Sequence, residues 1–344
     1  TGITATHPEL RHALLDGKDF VDIIDGQSDF VGDFLGFDND PGDEVGHGTH
    51  VTGIIAARGL HMPMGLSPRS KIIPVRVLGA MRKGDSVVGA GIVDNINAGL
   101  KFAIDAKAGR LYISDSNNHR IVVTDLDGKF IETIGTGRIG LVDGVYDKAR
   151  FFRLQGLALH GHNLYVADAE NHALRVVDTK TKTVTTLVGN GTQGRDYNGG
   201  RGGREQVIST PWDVYVEGGQ VFIAMAGTHQ IWAYNLEKKI AHNFSGNGSE
   251  QNLNHPDPFQ AAWAQPSGLT VGAGELFIAD SESSTVRAIS LSTGATRTIA
   301  GGEDARPRNL FAFGDVDGVG EKARMQHVLG VQWWEKEKKV IVAD

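Results

Sequence analysis

One pattern returns five times along residues 111–344, and it limits the possible folds of this 344-residue chain more than any other feature. Leu111-Tyr112-Ile113-Ser114-Asp115 comes back as Leu164-Tyr165-Val166-Ala167-Asp168, as Val221-Phe222-Ile223-Ala224-Met225 and as Leu276-Phe277-Ile278-Ala279-Asp280. The run Val340-Ile341-Val342-Ala343-Asp344 starts a fifth copy. The aligned positions 115, 168, 225, 280 and 344 stand 53, 57, 55 and 64 residues apart. In the second copy, short apolar runs at 156–159, 164–167, 174–177 and 183–188 are separated by turn residues and close on Gly189-Asn190-Gly191. Four short strands per unit is the content of one blade of a β-propeller. A single blade cannot bury both of its faces, so each copy needs its neighbours stacked on it. The segments leading into the copies repeat as well: Gln155-Gly156-Leu157, Pro211-Trp212-Asp213-Val214, Pro266-Ser267-Gly268-Leu269 and Leu329-Gly330-Val331.

The bulk composition allows such a core. Hydrophobic residues make up 40% and charged residues 22%, and the 46 glycines favour many tight turns. The net charge of −7 carries no basic block, which argues against nucleic acid or an anionic membrane as the main partner. No apolar run approaches the roughly 20 residues that a spanning helix needs. With no cysteine, the chain has no disulfide, thiolate metal site or cysteine nucleophile, and its compartment stays undetermined.

The repeated Asp and Asn-His positions invite a metal or catalytic reading, but repetition favours a structural one. A polar side chain at one offset in every unit is expected to hydrogen-bond the turn of its own unit. Gly135-Thr136-Gly137-Arg138-Ile139-Gly140 and Gly189-Asn190-Gly191-Thr192-Gln193-Gly194 fit a dinucleotide-binding spelling, yet no apolar helix follows either to receive a phosphate. Asp315-Val316-Asp317-Gly318 lacks the remaining ligands of a calcium loop. No metal and no cofactor is therefore expected. All five tryptophans fall in the repeats, where inter-unit packing is their expected role. The inserts 136–153, 192–209, 249–264 and 302–327 are expected to gather on one rim, the place to look for a protein or peptide partner.

The pattern Tyr-Val-Ala-Asp followed by Asn-His and an Arg-Val strand, with Ser209-Thr210-Pro211-Trp212-Asp213-Val214 and Ala279-Asp280-Ser281-Glu282, resembles NHL repeats. More narrowly it is similar to the propeller of NHL-repeat proteins that elsewhere carry a thioredoxin-like domain. The resemblance covers most of residues 109–344 and implies a six-bladed ring. Four repeats and one strand are present, so the expectation is an incomplete propeller, truncated at its carboxy-terminal side.

Residues 1 to about 105 have another character. Pro8 to Leu15 reads as a short helix, and an acidic loop runs from Asp22 to Glu44. In that loop Asp38, Asp40, Asp43 and Glu44 match no defined calcium spacing, and a solvated loop is expected. Val51, Ile54 and Ile55 lie on one stripe of a helix opened by His47, Lys71 to Leu78 suits a buried parallel strand, and Ile92 to Ile104 returns to helical period. His47-Gly48-Thr49-His50-Val51 resembles the histidine motif of subtilisin-like serine proteases, and the resemblance extends over the whole segment. Thr1-Gly2-Ile3 is similar to the end of that family's Asp-Thr-Gly-Ile element, and Gly65-Leu66-Ser67-Pro68 with Lys71 to Leu78 is similar to a core strand. It implies that His47 is the general base of a serine nucleophile. It also implies that Gly89, Ala90 and Gly91 border the edge that pairs with substrate backbone. The family's Gly-Thr-Ser nucleophile motif and oxyanion asparagine do not occur, and its aspartate would precede Thr1. Peptide hydrolysis by these residues alone is not expected.

Together these readings give a mixed fold. A partial α/β subtilisin-like segment, 1–105, precedes an all-β NHL-type propeller, 106–344. Lys101 to Gly109 fits either the end of a helix or the first strand of the first blade, and no Pro/Ser-rich linker marks the join. A chimera of incomplete pieces is the expectation. The expected function is a protein-interaction scaffold attached to an inactive protease segment. The alternative is a fragment of an active subtilisin-like endopeptidase whose Asp and Ser lie outside these residues. A sugar- or lactone-processing propeller enzyme fits the fold but finds no metal-ligand set.

Overall fold

In a computed structural model the structure describes residues 2–15, 18–19, 30–31, 40, 42–43, 45–61, 64, 72, 74–76, 79–83, 86–90, 102–105, 109–126, 128–302, 310 and 312–343. The chain is mostly β-strand in antiparallel sheets, with few helices. It divides into two compact units: residues 1–101 with 106–111 and 123–132, and residues 102–105 with 112–122 and 133–344. Among the described residues no helix is long and apolar enough to cross a membrane.

Among the described residues of the first unit the one α-helix is α1 (His47–Ala56). The stretch read as a helix from Pro8 to Leu15 is instead a series of turns, in which Leu10 and Arg11 both donate to the His7 carbonyl and Ala13 to that of Leu10. Leu14 then leaves the turns to bridge Ile72 in parallel, so its backbone is committed to a neighbouring segment rather than to a further helical turn. Parallel pairing continues between Lys18–Asp19 and Val75–Arg76, as the apolar run 71–78 suggested. Ile3, Leu10 and Ala57 form a small core with Leu14 and Ile72 against it. The strands Gly79–Lys83 and Ser86–Ala90 make a hairpin whose other edge is Phe30–Val31. The helical reading of Ile92 to Ile104 lies outside the described residues up to Lys101. Phe102–Asp105, beyond it, is a strand.

That strand opens the repeats. Sheet A comprises Phe102–Asp105, Arg110–Asp115, Arg120–Asp125 and Phe130–Ile134; sheet B, Leu157–His160, Asn163–Asp168, Ala173–Asp178 and Thr183–Val188. Sheet C comprises Pro211–Glu217, Gln220–Met225, Gln230–Asn235 and Ile240–Ser245; sheet D, Pro266–Gly272, Glu275–Asp280, Thr285–Ser290 and Thr296–Ala300. Each is an antiparallel meander in chain order. Sheet E has two described strands, Gly330–Trp334 and Lys339–Ala343, where one was expected. The lead-in Gly330-Val331 and the tandem Trp333-Trp334 together form the extra strand.

The apolar runs are nearly continuous because both faces of each sheet are buried. Along Gln220–Met225, side chains alternate: Val221, Ile223 and Met225 pack with Tyr165, Leu174 and Val188 of sheet B, while Phe222 and Ala224 pack with Leu276 and Ile278 of sheet D and with Trp263 on the insert before it. Trp232 and Trp263 are fully buried in these interfaces. The first strand of every sheet from A to D lies beside the first strand of the next.

The inserts reach forward. Gly144–Val145, which follows sheet A, pairs with Thr183 and Val184 at the outer edge of sheet B. Gly199–Arg201 does the same for sheet C, pairing with Ala241 and His242. His255 covers sheet D by exchanging hydrogen bonds with Thr296. These three inserts therefore protect the exposed strand edges of the sheets they precede.

Candidate functional site

His47 is the first residue of α1, and the structure explains how that helix starts. Asp43 accepts hydrogen bonds from the amides of Gly46 (2.9 Å) and Thr49 (2.8 Å) and from the Thr49 hydroxyl (2.6 Å). A carboxylate here satisfies first-turn donors and complements the positive end of the helix dipole. The Thr4 amide donates to Thr49 Oγ1 (2.9 Å), which ties the Gly2-Ile3-Thr4 segment to the same turn. Among the described residues no group of three or more His, Asp or Glu side chains is arranged to hold a metal, and Asp43 is occupied as a helix cap. Asp38 and Glu44 lie outside the described residues. Past the other end of α1 the buried Glu9 carboxylate accepts the amides of Gly59, Leu60 and His61. Gly89 and Ala90 end the strand Ser86–Ala90, paired with Ala80 and Gly79. Gly91 lies outside the described residues.

In the repeats the recurring acidic position is structural. Asp168 is fully buried and accepts from the Phe152 amide (2.8 Å), Asn171 Nδ2 (2.8 Å) and Arg175 (2.7 Å). Asp280 does the same with the Ala264 amide (2.7 Å), Ser283 (2.8 Å) and Arg287 (2.9 Å). Burial pushes the Asp168 carboxyl up to about 6, against the pull of Arg175, the Phe152 amide and Asn171. The guanidinium of Arg175 also donates to the carbonyls of Arg150 and Val142 and lies over Phe151 at 5.0 Å; that of Arg287 donates to Ala262 and Leu253 and lies over Trp263 at 4.1 Å. Sheet C replaces the charged pair as a whole: Met225 stands in place of the aspartate and Trp232 in place of the arginine, its Nε1 donating to Gln230. A buried charge is stable only with its partner, so the two positions change together.

The histidines at this offset, His119 and His172 of the Asn-His pairs and His229 after Thr228, do something that the repeat pattern did not predict. They bond the following unit, not the turn of their own. The amide of Arg153 donates to His119 Nδ1 (3.3 Å), that of Thr210 to His172 Nδ1 (3.1 Å) and that of Gln265 to His229 Nδ1 (3.4 Å), while the His327 amide donates to Ser284 Oγ (3.1 Å). Both members of every such staple have left-handed backbones: φ is 53° and 45° at His119 and Arg153, and 46° and 47° at His172 and Thr210. Non-glycine residues seldom hold that conformation, and histidine is among those that hold it best. The recurring His, one residue beyond a turn, was the only sequence signal available.

The staple needs an unprotonated imidazole. Burial holds His172 below the usual histidine range, with Glu170 acting in the opposite direction. Burial, then the Arg153 charge, does the same to His119. With folded pKa values below the unfolded ones, the unfolded chain takes up protons first. The staples of His119 and His172 therefore contribute fully above about pH 6.5 and weaken as pH falls through that value toward the depressed folded pKa. The expected result is a thermal midpoint that drops between pH 7.5 and pH 5.5, with a smaller drop in His172→Asn, whose amide oxygen accepts without titrating. An identical pH dependence in the variant would remove His172 from this account.

Two separate similarities match this division of labour. The subtilase family model matches residues 1–119. NHL repeat-containing protein 2 of Gallus gallus is 46% identical over 267 residues, 71% of this chain and 37% of that protein. The chain resembles subtilases at its amino-terminal end and NHL-repeat proteins over the remainder. The subtilase-like part is 31% identical over 115 residues to the major intracellular serine protease of Bacillus subtilis (strain 168), 33% of this chain and 31% of that one. The chain thus spans well under half the length of either relative. A solved structure of a Bacteroides thetaiotaomicron VPI-5482 protein of unknown function shares the fold at a TM-score of 0.53 and 18% identity, over 78% of this chain and 63% of its own.

Proposed function

We propose that residues 106–344 belong to an NHL-type β-propeller that acts as a protein-interaction module, and that residues 1–105 are a subtilisin-like segment without independent hydrolytic activity. The observation that carries the interaction reading is where apolar surface remains exposed. Between residues 133 and 327 the exposed large hydrophobic side chains are Ile139, Val142, Val145, Tyr197, Phe259, Phe313, Val316 and Val319, and every one lies on an insert. Among the described residues, sheets B, C and D bury theirs, so over this part of the chain the exposure is confined to the connections, where partner contacts concentrate. The recurring Asp, Arg and His side chains are spent on joining sheet to insert and unit to unit. Peptides selected on the full chain from a displayed library are expected to lose binding to Tyr197→Asp and Phe259→Asp variants that keep the parent melting temperature. Unchanged binding would sink this reading.

The protease segment supports a second reading, a fragment of an active serine endopeptidase with its remaining catalytic groups outside these residues. The hydrogen bond from the Thr4 amide to Thr49 favours it, because it holds the segment resembling the aspartate element against the turn that carries His47. Under this reading His47 is the base, and Gly89, Ala90 and Gly91 border the substrate. A fluorophosphonate probe separates the two. No labelling and no casein cleavage are expected of this chain. Labelling that disappears in His47→Ala would establish the second reading instead.

A further inference from the structure

Between sheets B and C lies a cavity of about 520 Å³ whose walls follow from the strand pairing of both sheets. In sheet B, Tyr165, Val176 and Thr185 are partners across three strands, and Asn163, Asp178 and Thr183 form the next row on the same face. Sheet C contributes Tyr234 from its third strand, with Leu236 and Lys239 from the turn that follows. The insert before sheet C closes the outer side, because Gly203 bridges Val188 while Gly199–Arg201 pairs with Ala241 and His242.

The inner end of the cavity is uncharged and rich in donors. Tyr165 is 4% exposed and Tyr234 3%, their rings packed in the core between the two sheets. Asn163 hydrogen-bonds the Tyr165 phenol, whereas the Tyr234 phenol has no hydrogen-bond partner among the described residues. A buried hydroxyl in that state costs free energy that an acceptor on a ligand would recover. Burial raises both phenols above the usual tyrosine range, with Tyr165 acting on Tyr234 in the same direction, so both stay protonated donors. Nearer the mouth, Asp178 and Lys239 bring one charge of each sign, and the hydroxyls of Thr183 and Thr185 can donate or accept. Val176, Leu187 and Leu236 place apolar surface among these groups.

We propose that this cavity binds a neutral sugar of one or two rings. A sugar hydroxyl accepts from the Tyr234 phenol, and its neighbours exchange hydrogen bonds with the threonines, Asn163 and Asp178. The ring carbons lie against Val176, Leu187 and Leu236. An anion is disfavoured by Asp178 at the mouth and by desolvation at the inner end, where only neutral phenols meet it. A cation meets the phenol hydrogens and the Lys239 charge. The volume lies within the range of small-molecule sites, roughly 300–1,000 Å³. Most of the wall is sheet face rather than insert, so the assignment stands apart from the reading of the inserts as partner-facing surface.

The test titrates the full chain with maltose, cellobiose, lactose and methyl α-glucoside by saturation-transfer NMR, with glucuronate as the anionic control. Saturable binding of at least one neutral probe is expected, tighter than that of glucuronate. Tyr234→Phe keeps the ring in the core and is expected to weaken binding about tenfold. The same variant is expected to keep or raise the urea midpoint, because the hydroxyl it removes has no internal partner. No binding of any neutral probe would overturn the assignment, as would equal affinity in Tyr234→Phe or glucuronate bound as tightly. A lowered urea midpoint would also overturn it, the hydroxyl then being part of the fold. Library-selected peptides that lose binding in Tyr234→Phe would do the same, a polypeptide then being the occupant.

Discussion

Arg175→Ala is expected to destabilise the chain by about 3–5 kcal/mol, because it leaves the carboxylate of Asp168 buried without its counter-charge. Both side chains are fully buried, so water cannot take over the lost interaction. The loss also frees two insert carbonyls, those of Arg150 and Val142, and removes the contact with Phe151. Sheet C contains the remedy. Position 151 corresponds there to Ile208, position 168 to Met225 and position 175 to Trp232, all buried. The triple variant Phe151→Ile, Asp168→Met, Arg175→Trp exchanges a paired charge for an apolar set that the same architecture already accommodates. It is expected to lie within about 1.5 kcal/mol of the parent, since volume-conserving apolar repacking seldom costs more. Urea unfolding of the parent, the single and the triple variant decides the matter. A triple variant as unstable as Arg175→Ala would show that sheets B and C are not interchangeable at this position.

Gly156→Ala is expected to cost about 3 kcal/mol or more by forced overpacking. A methyl group on Gly156 would stand 2.6 Å from the Cα of Asp213, which is backbone and cannot rotate away. The first strands of sheets B and C approach closely here, and the Gly156 amide donates to the Trp212 carbonyl at 2.9 Å. Asp213 uses the space that glycine leaves and accepts the Leu269 amide at 2.8 Å, joining the first strands of three consecutive sheets. Adding Asp213→Ala should not rescue Gly156→Ala, because the clash with the Cα remains. Rescue would assign the cost to the carboxylate alone. The urea midpoint measures both variants.

Much of the fold was legible in the chain because its physics is local. The unbroken apolar run Val221-Phe222-Ile223-Ala224-Met225 already implies a strand buried on both faces, and the spacing of Asp115, Asp168 and Asp280 already implies stacked copies. The structural role of Asp168 and Asp280 followed from their recurrence. The candidate site was legible only in part. His47-Gly48-Thr49-His50 predicts a helix start, which α1 confirms, but nothing in the acidic loop singles out Asp43 as its cap. The turns at Pro8–Leu15 arise because Leu14 pairs with Ile72, 58 residues away in the chain, a contact that no local pattern records.

By itself the order of amino acids determined the repeat, the strands within it, the start of α1 and the similarity of each half to a different family, since these depend on neighbours a few residues apart. Only tertiary structure decided that His119, His172 and His229 fasten each repeat to the next and that the inserts before sheets B, C and D cover the edge of the sheet ahead of them. Those assignments depend on which distant backbone amides and carbonyls come within hydrogen-bonding distance, and that is settled only when the sheets stack.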